Sequence, residues 1–365
     1  MTTGPVGQVV PARWRGRRVL VTGHTGFKGA WLGTWLAAMG AEVHGLSLAP
    51  VTTPSLFDLI ALATQVRHTV GDIRDAAVVR DAVRTAAPEV VFHLAAQPLV
   101  RASYRDPLET FDTNVRGTAH VLDACRHAPG VAAVVCITTD KCYENREWSW
   151  GYREDDPLGG HDPYSASKAA AEVVAASYRR SFGPESMAMA HLATARAGNV
   201  IGGGDWSEDR LVPDAVRAFA AGRTLDVRRP HATRPWQHVI APLSGYLVLA
   251  QALLEDRPVA EAWNFGPRDE DVVPVGAFLD RLVAAWGPGA AWRVTGADQG
   301  PHEAGLLKLD TSKARHALGW QPRWDLDTAV VQTVAWYRAW QDGATADRLR
   351  QVMLDQIGAY VRADA

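Results

Sequence analysis

Three glycines at three-residue intervals dominate the start of this chain. They stand in the turn Gly23-His24-Thr25-Gly26-Phe27-Lys28-Gly29, after the short β-branched run Arg18–Thr22 and before a segment, Gly29–Met39, with apolar residues at helical spacing. Strand, glycine turn and helix in that order form a cradle for a dinucleotide. Small residues let the backbone approach a pyrophosphate, and the helix N-terminus favours its negative charge. Thr25, Phe27 and Lys28 would then lie close to a cofactor.

The first half of the chain repeats the alternation. Strand patterns are read at Glu42–Leu48, Gln65–Val70, Val90–Leu94, Val131–Thr138 and Met187–Ala195. Helices are read at Asp75–Thr85, Leu108–Arg126 and Tyr164–Phe182, the last with Asp162 as N-cap and Pro163 at its first position. Continuous apolar strands that alternate with helices imply a parallel sheet covered on both faces. The fold class expected is α/β, a Rossmann-type doubly wound parallel sheet with a smaller mixed α/β C-terminal lobe.

After Asn199 the pattern weakens. Helices are read at Leu211–Ala221, Pro242–Leu254 and Val273–Trp286, with a short strand at Thr224–Val227 and a strand, cap and helix within Leu306–Trp320. The division that follows is a flexible N-terminus (1–13), a dinucleotide-binding domain (14–200, with 235–265 returning to it), a substrate lobe (201–234 and 266–345) and a C-terminal helix (346–365).

Composition matters mainly for what it excludes. A net charge of −2 over 365 residues argues against nucleic acid or an anionic membrane as the main partner. No apolar run approaches the roughly 20 residues that span a bilayer. The N-terminus lacks the basic start and apolar stretch of a signal peptide. Three cysteines, Cys125, Cys136 and Cys142, form no Cys-x-x-Cys pair, so no disulfide framework, no metal site and a cytoplasmic location are expected.

Five of the 38 basic residues are lysine, and three of them stand in short chemical motifs. Lys28 lies in the glycine turn. Lys168 closes Tyr164-Ser165-Ala166-Ser167-Lys168, which on a helix puts phenol and ammonium on one face. A nearby ammonium favours the phenolate of a side chain that is otherwise a poor base. Lys141 follows an acid in Thr138-Thr139-Asp140-Lys141, at the carboxyl end of a buried strand, where a parallel sheet lines its ligand crevice. There a Thr hydroxyl can bond a substrate hydroxyl, Asp140 is a candidate general acid, and Lys141 a candidate base or electrostatic anchor. The end of strand two, Gly45-Leu46-Ser47-Leu48, carries neither the acid that holds a ribose 2′-hydroxyl nor an arginine for a 2′-phosphate, which leaves NAD and NADP open. Asp72 follows strand three and is a candidate partner for an adenine amino group. Asp75 reads as a helix cap, and His93 as a core histidine.

These motifs resemble the extended short-chain dehydrogenase/reductase superfamily, and within it the nucleotide-sugar 4,6-dehydratases. The resemblance runs from about residue 15 to 340. Its further stretches are Phe92–Arg101, Asp140–Asn145, Arg196–Trp206 and Arg234–Val239. It implies bound NAD, contacted by Gly23, Thr25, Gly26, Phe27, Lys28, Asp72, Ile73, Leu94, Ala95, Ala96, Thr138, Tyr164 and Lys168. It implies a nucleotide sugar contacted by Gln97, Asn199, Arg210, Arg234 and Glu303, with Trp148 and Trp150 available to cover the sugar. The implied reaction is oxidation at C4, with Tyr164 taking the O4 proton and Thr139 assisting it. Loss of the C5 proton and the C6 hydroxyl follows, then reduction at C6, with Asp140 protonating the leaving hydroxyl. The usual motif is Thr-Asp-Glu. Lys141 in place of Glu matches the CDP-glucose branch and leaves the C5 base open between Lys141 and another group. Deoxysugar and polysaccharide (O-antigen, lipopolysaccharide) biosynthesis and a homo-oligomer are also implied. The competing readings are a 4-epimerase, a dehydratase for another nucleotide, and a non-catalytic dinucleotide-binding protein.

Overall fold

The computed structural model describes residues 7–295 and 305–363. In the first half, β1 (Arg18–Thr22) leads through the glycine turn into α1 (Phe27–Ala38), followed by β2 (Glu42–Ser47), α2 (Leu56–Leu59), β3 (Arg67–Val70), α3 (Ala76–Ala86) and β4 (Val90–His93). Helices α4 (Val100–Arg105), α5 (Pro107–Phe111) and α6 (Thr118–Arg126) precede β5 (Ala133–Ile137), and α7 (Pro163–Phe182) and α8 (Met187–Ala190) precede β6 (Leu192–Ala197). The second half holds β7 (Asn199–Ile201), α9 (Leu211–Ala220), β8 (Leu225–Val227), β9 (Thr233–His238), α10 (Ile240–Leu254) and β10 (Ala262–Phe265). It continues with β11 (Val272–Pro274), α11 (Val275–Trp286), β12 (Trp292–Val294), α12 (Leu326–Gln341) and α13 (Ala346–Arg362).

Seven strands form one parallel sheet in the order β10-β6-β5-β4-β1-β2-β3. Strands β4 and β5 are buried throughout, which is why they read as unbroken apolar runs. Register places Thr22 opposite His93 and His93 opposite Cys136. The chain therefore leaves β1, β4 and β5 at one level, and the segments that follow those strands face one another. This is the fold class read from the sequence, a Rossmann-type doubly wound parallel sheet with a smaller mixed lobe. The lobe contains the mixed sheet β11-β9-β7 and the parallel pair β12-β8.

Capping follows local chemistry. Asp75 accepts from the N–H groups of Ala77 and Val78 at 2.8 and 3.3 Å. Asp162 accepts from Ser165 N–H at 2.9 Å, with Pro163 at the first helical position. Helix α10 is apolar all round and buried along almost its whole length, as a helix must be when both its faces meet protein.

Five readings need correction. Met187–Ala190 is a helical turn, not the start of a strand; Met and Ala favour helix, and the strand begins at Leu192. The helix expected over Leu108–Arg126 is interrupted by a π-helical turn at Asp112–Gly117. Val272–Pro274 pairs with β9 before α11 begins, and within Leu306–Trp320 the strand shrinks to a single bridge between Leu309 and Tyr152. The segment before Trp14, expected to be loose, is held from residue 8 on: Val9 is buried, and Val10 N–H donates to Gln251 Oε1 at 2.8 Å.

Candidate active site

The glycine turn is shaped by contacts that no side chain could share. Gly23 has φ +78°, and a Cβ there would lie 2.7 Å from Ala95 N. A Cβ on Gly29 would lie 2.2 Å from Gly23 O. A Cβ on Gly26, by contrast, would meet only Gly23 O, at 3.4 Å, and Gly26 lines the cavity, so the backbone ahead of α1 is open where an anion would approach. The turn fits a pyrophosphate. His24 drops beneath β2 into room that Gly45 leaves, and its Nε2 meets His68 Nδ1 at 2.7 Å. Burial and the neighbouring His68 lower His24 to about 4.

The turn opens on a cavity of about 660 Å³ at the carboxyl ends of the strands, within the range of small-molecule sites. Of the expected cofactor contacts, Gly23, Thr25, Gly26, Phe27, Lys28, Asp72, Ile73, Leu94, Ala95, Ala96 and Thr138 all line it. Two differ in detail from their expected use. Thr25 Oγ1 pairs with Ser47 Oγ at 2.7 Å and donates to Leu48 O at 3.0 Å, so it ties the turn to β2. Asp72 is already engaged by Arg74, through its backbone N–H at 2.8 Å and its guanidinium at 2.6 Å, and that bonding holds the carboxyl below its usual range.

Tyr164, Lys168, Thr139 and Lys141 line the same cavity. Burial pushes the Tyr164 phenol up to about 12, while the Thr139 hydroxyl and Arg210 pull the other way. Burial lowers Lys168, opposed by Cys136 and Glu172; its ammonium donates to Ile137 O at 3.3 Å. Thr139 opens a tight turn over Asp140–Cys142. Its hydroxyl donates to Asp140 Oδ1 at 2.9 Å, and Lys141 Nζ meets the same oxygen at 3.3 Å. The other carboxylate oxygen, Asp140 Oδ2, is buried without a hydrogen-bond partner. It lies beside Gly198, which lines the cavity and whose Cβ position is 3.1 Å away. Lys28, lowered to about 7 by burial and then by Arg210, feels Asp140, Lys141 and Lys168 as well, which places it on the catalytic side of the turn.

The cavity continues into the second lobe, where Asn199, Arg210 and Arg234 line it. Arg210 pairs with Asp205 at 3.2 Å. Three sequence expectations do not join them. Gln97 is turned away: its amide donates to Thr110 Oγ1 at 2.9 Å and accepts from Leu99 N–H at 2.6 Å. Trp148 and Trp150 stand outside the cavity lining, where Trp148 stacks on Tyr152 and Tyr152 on Tyr143, so only Tyr143 reaches the wall. Glu303 lies outside the described residues. Sequence reasoning missed Arg228 and Arg229, which bring two more guanidinium groups to the lobe's wall, and the ion pair of Arg101 with Asp209 (3.2 Å). Adjacent arginines in a loop carry no periodic signal.

His93 is a core residue as read, bonded to Thr22 at 2.7 Å and Thr118 at 3.0 Å and lowered to about 3 by burial. Cys142 is buried and its thiol is pushed up by burial, which removes it as a nucleophile. No cluster able to hold a metal ion occurs among the described residues.

The chain matches the GDP-mannose 4,6 dehydratase family over residues 20–264. It is 52% identical to a CDP-glucose 4,6-dehydratase of Salmonella typhimurium, covering 90% of this chain and 93% of that one. The chain belongs to the nucleotide-sugar 4,6-dehydratases. A dTDP-glucose 4,6-dehydratase of Streptomyces antibioticus is 33% identical over 88% of this chain and 92% of its own. Among solved structures, the dTDP-glucose 4,6-dehydratase DesIV of Streptomyces venezuelae with NAD bound superposes with a TM-score of 0.72 at 27% identity. It covers 91% of this dehydratase and 99% of DesIV. MoeE5 in complex with UDP-glucose and NAD gives a TM-score of 0.73 at 25% identity, covering 88% and 99% of the two chains.

Proposed function

We propose that this dehydratase converts CDP-D-glucose to CDP-4-dehydro-6-deoxy-D-glucose and water, with NAD in the half of the cavity formed by the glycine turn. The observation that carries this reading is that Tyr164, Lys168, Thr139 and Lys141, with Asp140 buried against Thr139 and Lys141, meet in one cavity that runs on to the arginines of the second lobe. The 52% identity to a CDP-glucose 4,6-dehydratase supports the choice of nucleotide.

The bare backbone of Gly23 and Gly26 and the N-terminus of α1 would hold the pyrophosphate, with Thr25 and Ile73 toward the adenosine end and Ala95, Ala96 and Thr138 along the opposite wall. NAD, when bound there, would supply the acceptor for the C4 hydride and the donor of hydride to C6. Tyr164 accepts the O4 proton; Lys168 and the Thr139 hydroxyl stabilise its phenolate against burial. Asp140 and Lys141 act as one acid–base pair. Neutral Lys141 takes the C5 proton, and protonated Asp140 gives its proton to the departing C6 hydroxyl, which leaves as water. The pair then stands as Asp140 carboxylate and Lys141 ammonium, and the 3.3 Å separation of Nζ and Oδ1 supports such an ion pair. As hydride reaches C6, the Lys141 ammonium returns a proton to C5, and the proton that Tyr164 took from O4 passes through solvent to Asp140, so the site is reset and no proton is gained or lost. The buried, unpartnered Asp140 Oδ2 is the oxygen available to the C6 hydroxyl. Asn199, Arg210 and Arg234 would hold the diphosphate, guanidinium forks suiting its oxygens.

The enzyme would serve deoxysugar supply for polysaccharides such as an O-antigen or lipopolysaccharide, in the cytoplasm. No helix of the described residues is long and apolar enough to cross a membrane. A homo-oligomer through α5 and α7 is part of the reading, supported by exposed Leu108, Phe111 and Val173 on those helices. The test is incubation with CDP-, dTDP-, GDP- and UDP-glucose, following the alkaline chromophore of a 4-keto-6-deoxy sugar and uptake of solvent deuterium at C5. Product from CDP-glucose first and fastest is expected; product from none of the four would overturn the reading.

A further inference from the structure

Tyr164, Lys168 and Glu172 recur at intervals of four on α7 and so share one face. The first two reach the cavity. Glu172 lies below them and is 3% exposed. Its carboxylate is bonded from the residue that follows β5 and from β6: Thr138 donates to Oε1, and Thr194 Oγ1 (2.7 Å) and Arg196 (2.8 Å) donate to Oε2. Arg196, equally buried, also donates to Tyr143 Oη at 2.7 Å and Glu154 O at 3.0 Å. Thr138 and Tyr143 both line the cavity, so this chain of bonds begins and ends on the site's wall.

A buried ion pair gains little stability over apolar residues of the same volume, so its worth lies in what it fixes in place. Here it fixes two elements against each other. Thr138 directly precedes Thr139 and Asp140, and α7 carries Tyr164. We propose that Glu172 is a positioning residue for the proton transfers: it locks the helix of Tyr164 and Lys168 to the strand end of Thr139 and Asp140, and sets a carboxylate behind Lys168. The proposal rests on the reaction assigned above.

The charges around this face are few. Lys168 meets Glu172 on its own helix, the Cys136 thiol of β5, Cys142 of the following turn, His93 of β4 and Lys28 of α1. Tyr164 meets Asp140, Asp162, Arg210 and, on α10, Tyr246. Among these, Glu172 is the carboxylate that favours the charged form of Lys168. Burial raises Glu172, but Arg196, Thr138 and Thr194 outweigh it and hold it below the usual range, so it is ionised at neutral pH.

The test is Glu172→Gln in the full chain, assayed with CDP-glucose beside the wild type. Gln keeps an acceptor for Thr138 and removes the charge. The expected result is kcat at least tenfold lower, KM within twofold, and the acidic limb of the kcat–pH profile moved to higher pH. Glu172→Asp keeps the charge and loses the reach; it should return the limb toward wild type while kcat stays low. Should Glu172→Gln fail to fold with Arg196 left unpaired, Thr194→Val cuts one bond to Glu172 without removing a charge and should lower kcat about threefold at unchanged KM. Wild-type kcat and pH profile in folded Glu172→Gln, or in Thr194→Val where the first does not fold, would overturn the proposal. A wild type that forms no 4-keto sugar would instead overturn the assigned reaction.

Discussion

The two halves of the cavity are built by opposite means. On the cofactor side, most wall segments follow strands of the large parallel sheet, and the geometry is set by backbone: Gly23 against Ala95, Gly29 against Gly23, and strand ends aligned in one row. On the substrate side, the strands β7, β8 and β11 are three residues long, and the wall is presented by long side chains, Arg210, Arg228, Arg229 and Arg234. Backbone cradles tolerate almost no change, whereas long side chains that reach in from loops and strand faces can be exchanged one at a time. The proposed function puts the chemistry on the rigid side and substrate holding on the adaptable one.

This division makes kcat a property of the first half and KM a property of the second. The strongest challenge is Tyr164→Phe, which removes the group proposed to accept the O4 proton. Turnover should fall about 10³-fold, within the range for losing a general base, while calorimetric affinity for CDP-glucose stays within a few-fold. Lys141→Arg comes next. The guanidinium keeps a cation beside Asp140 but cannot accept a proton, so turnover and C5 deuterium exchange should both fall about 10²-fold. Near-normal turnover would pass the C5 proton to another group. Arg234→Gln probes the other half: KM should rise about tenfold, matching one charge-assisted bond of roughly 1.4 kcal/mol, with kcat within twofold. A kcat loss exceeding the KM change would erase the division.

The smallest effect concerns Lys28. Its pKa in the folded protein, about 7, lies below the ordinary 10.5, so between these values the unfolded chain binds the extra proton and stability rises with pH. Below pH 7 the lysine is charged in both states and the cost of burying that charge is fully present. Lys28→Met should therefore raise Tm by a few degrees at pH 6, with the gain shrinking toward pH 10. A gain that does not change with pH would mean that packing, not charge, limits stability there.

The same contrast explains what the sequence disclosed. The runs at Arg18–Thr22, Val90–Leu94 and Val131–Thr138 are buried on both faces and announce themselves by composition, and Asp162-Pro163 marks a helix start by its local chemistry. The Tyr164–Lys168 pair and the Thr138–Lys141 turn were legible because each lies within a few residues of chain. Strand β9, Thr233-Arg234-Pro235-Trp236-Gln237-His238, was not, since proline and charge hide a strand whose pairing partners lie far off in sequence. The turning of Gln97 away from the cavity depends on Thr110 and Leu99, and the bonding of Glu172 on Thr138, Thr194 and Arg196. Such contacts exist only once the sheet has assembled.

The path of the chain between the halves carries a last consequence. It leaves the large sheet after β6, builds β7 to β9, returns through α10 to add β10 at the sheet's edge, and leaves again for α11. The smaller lobe, to which the proposed function gives the sugar, is thus stitched through the large-sheet domain and is not appended to it. Recombination could not exchange it as a cassette, because any cut that frees the lobe also removes the edge strand of the sheet. A new nucleotide preference would have to arise by single replacements among its side chains, and engineering of this enzyme toward other sugars is confined to the same route.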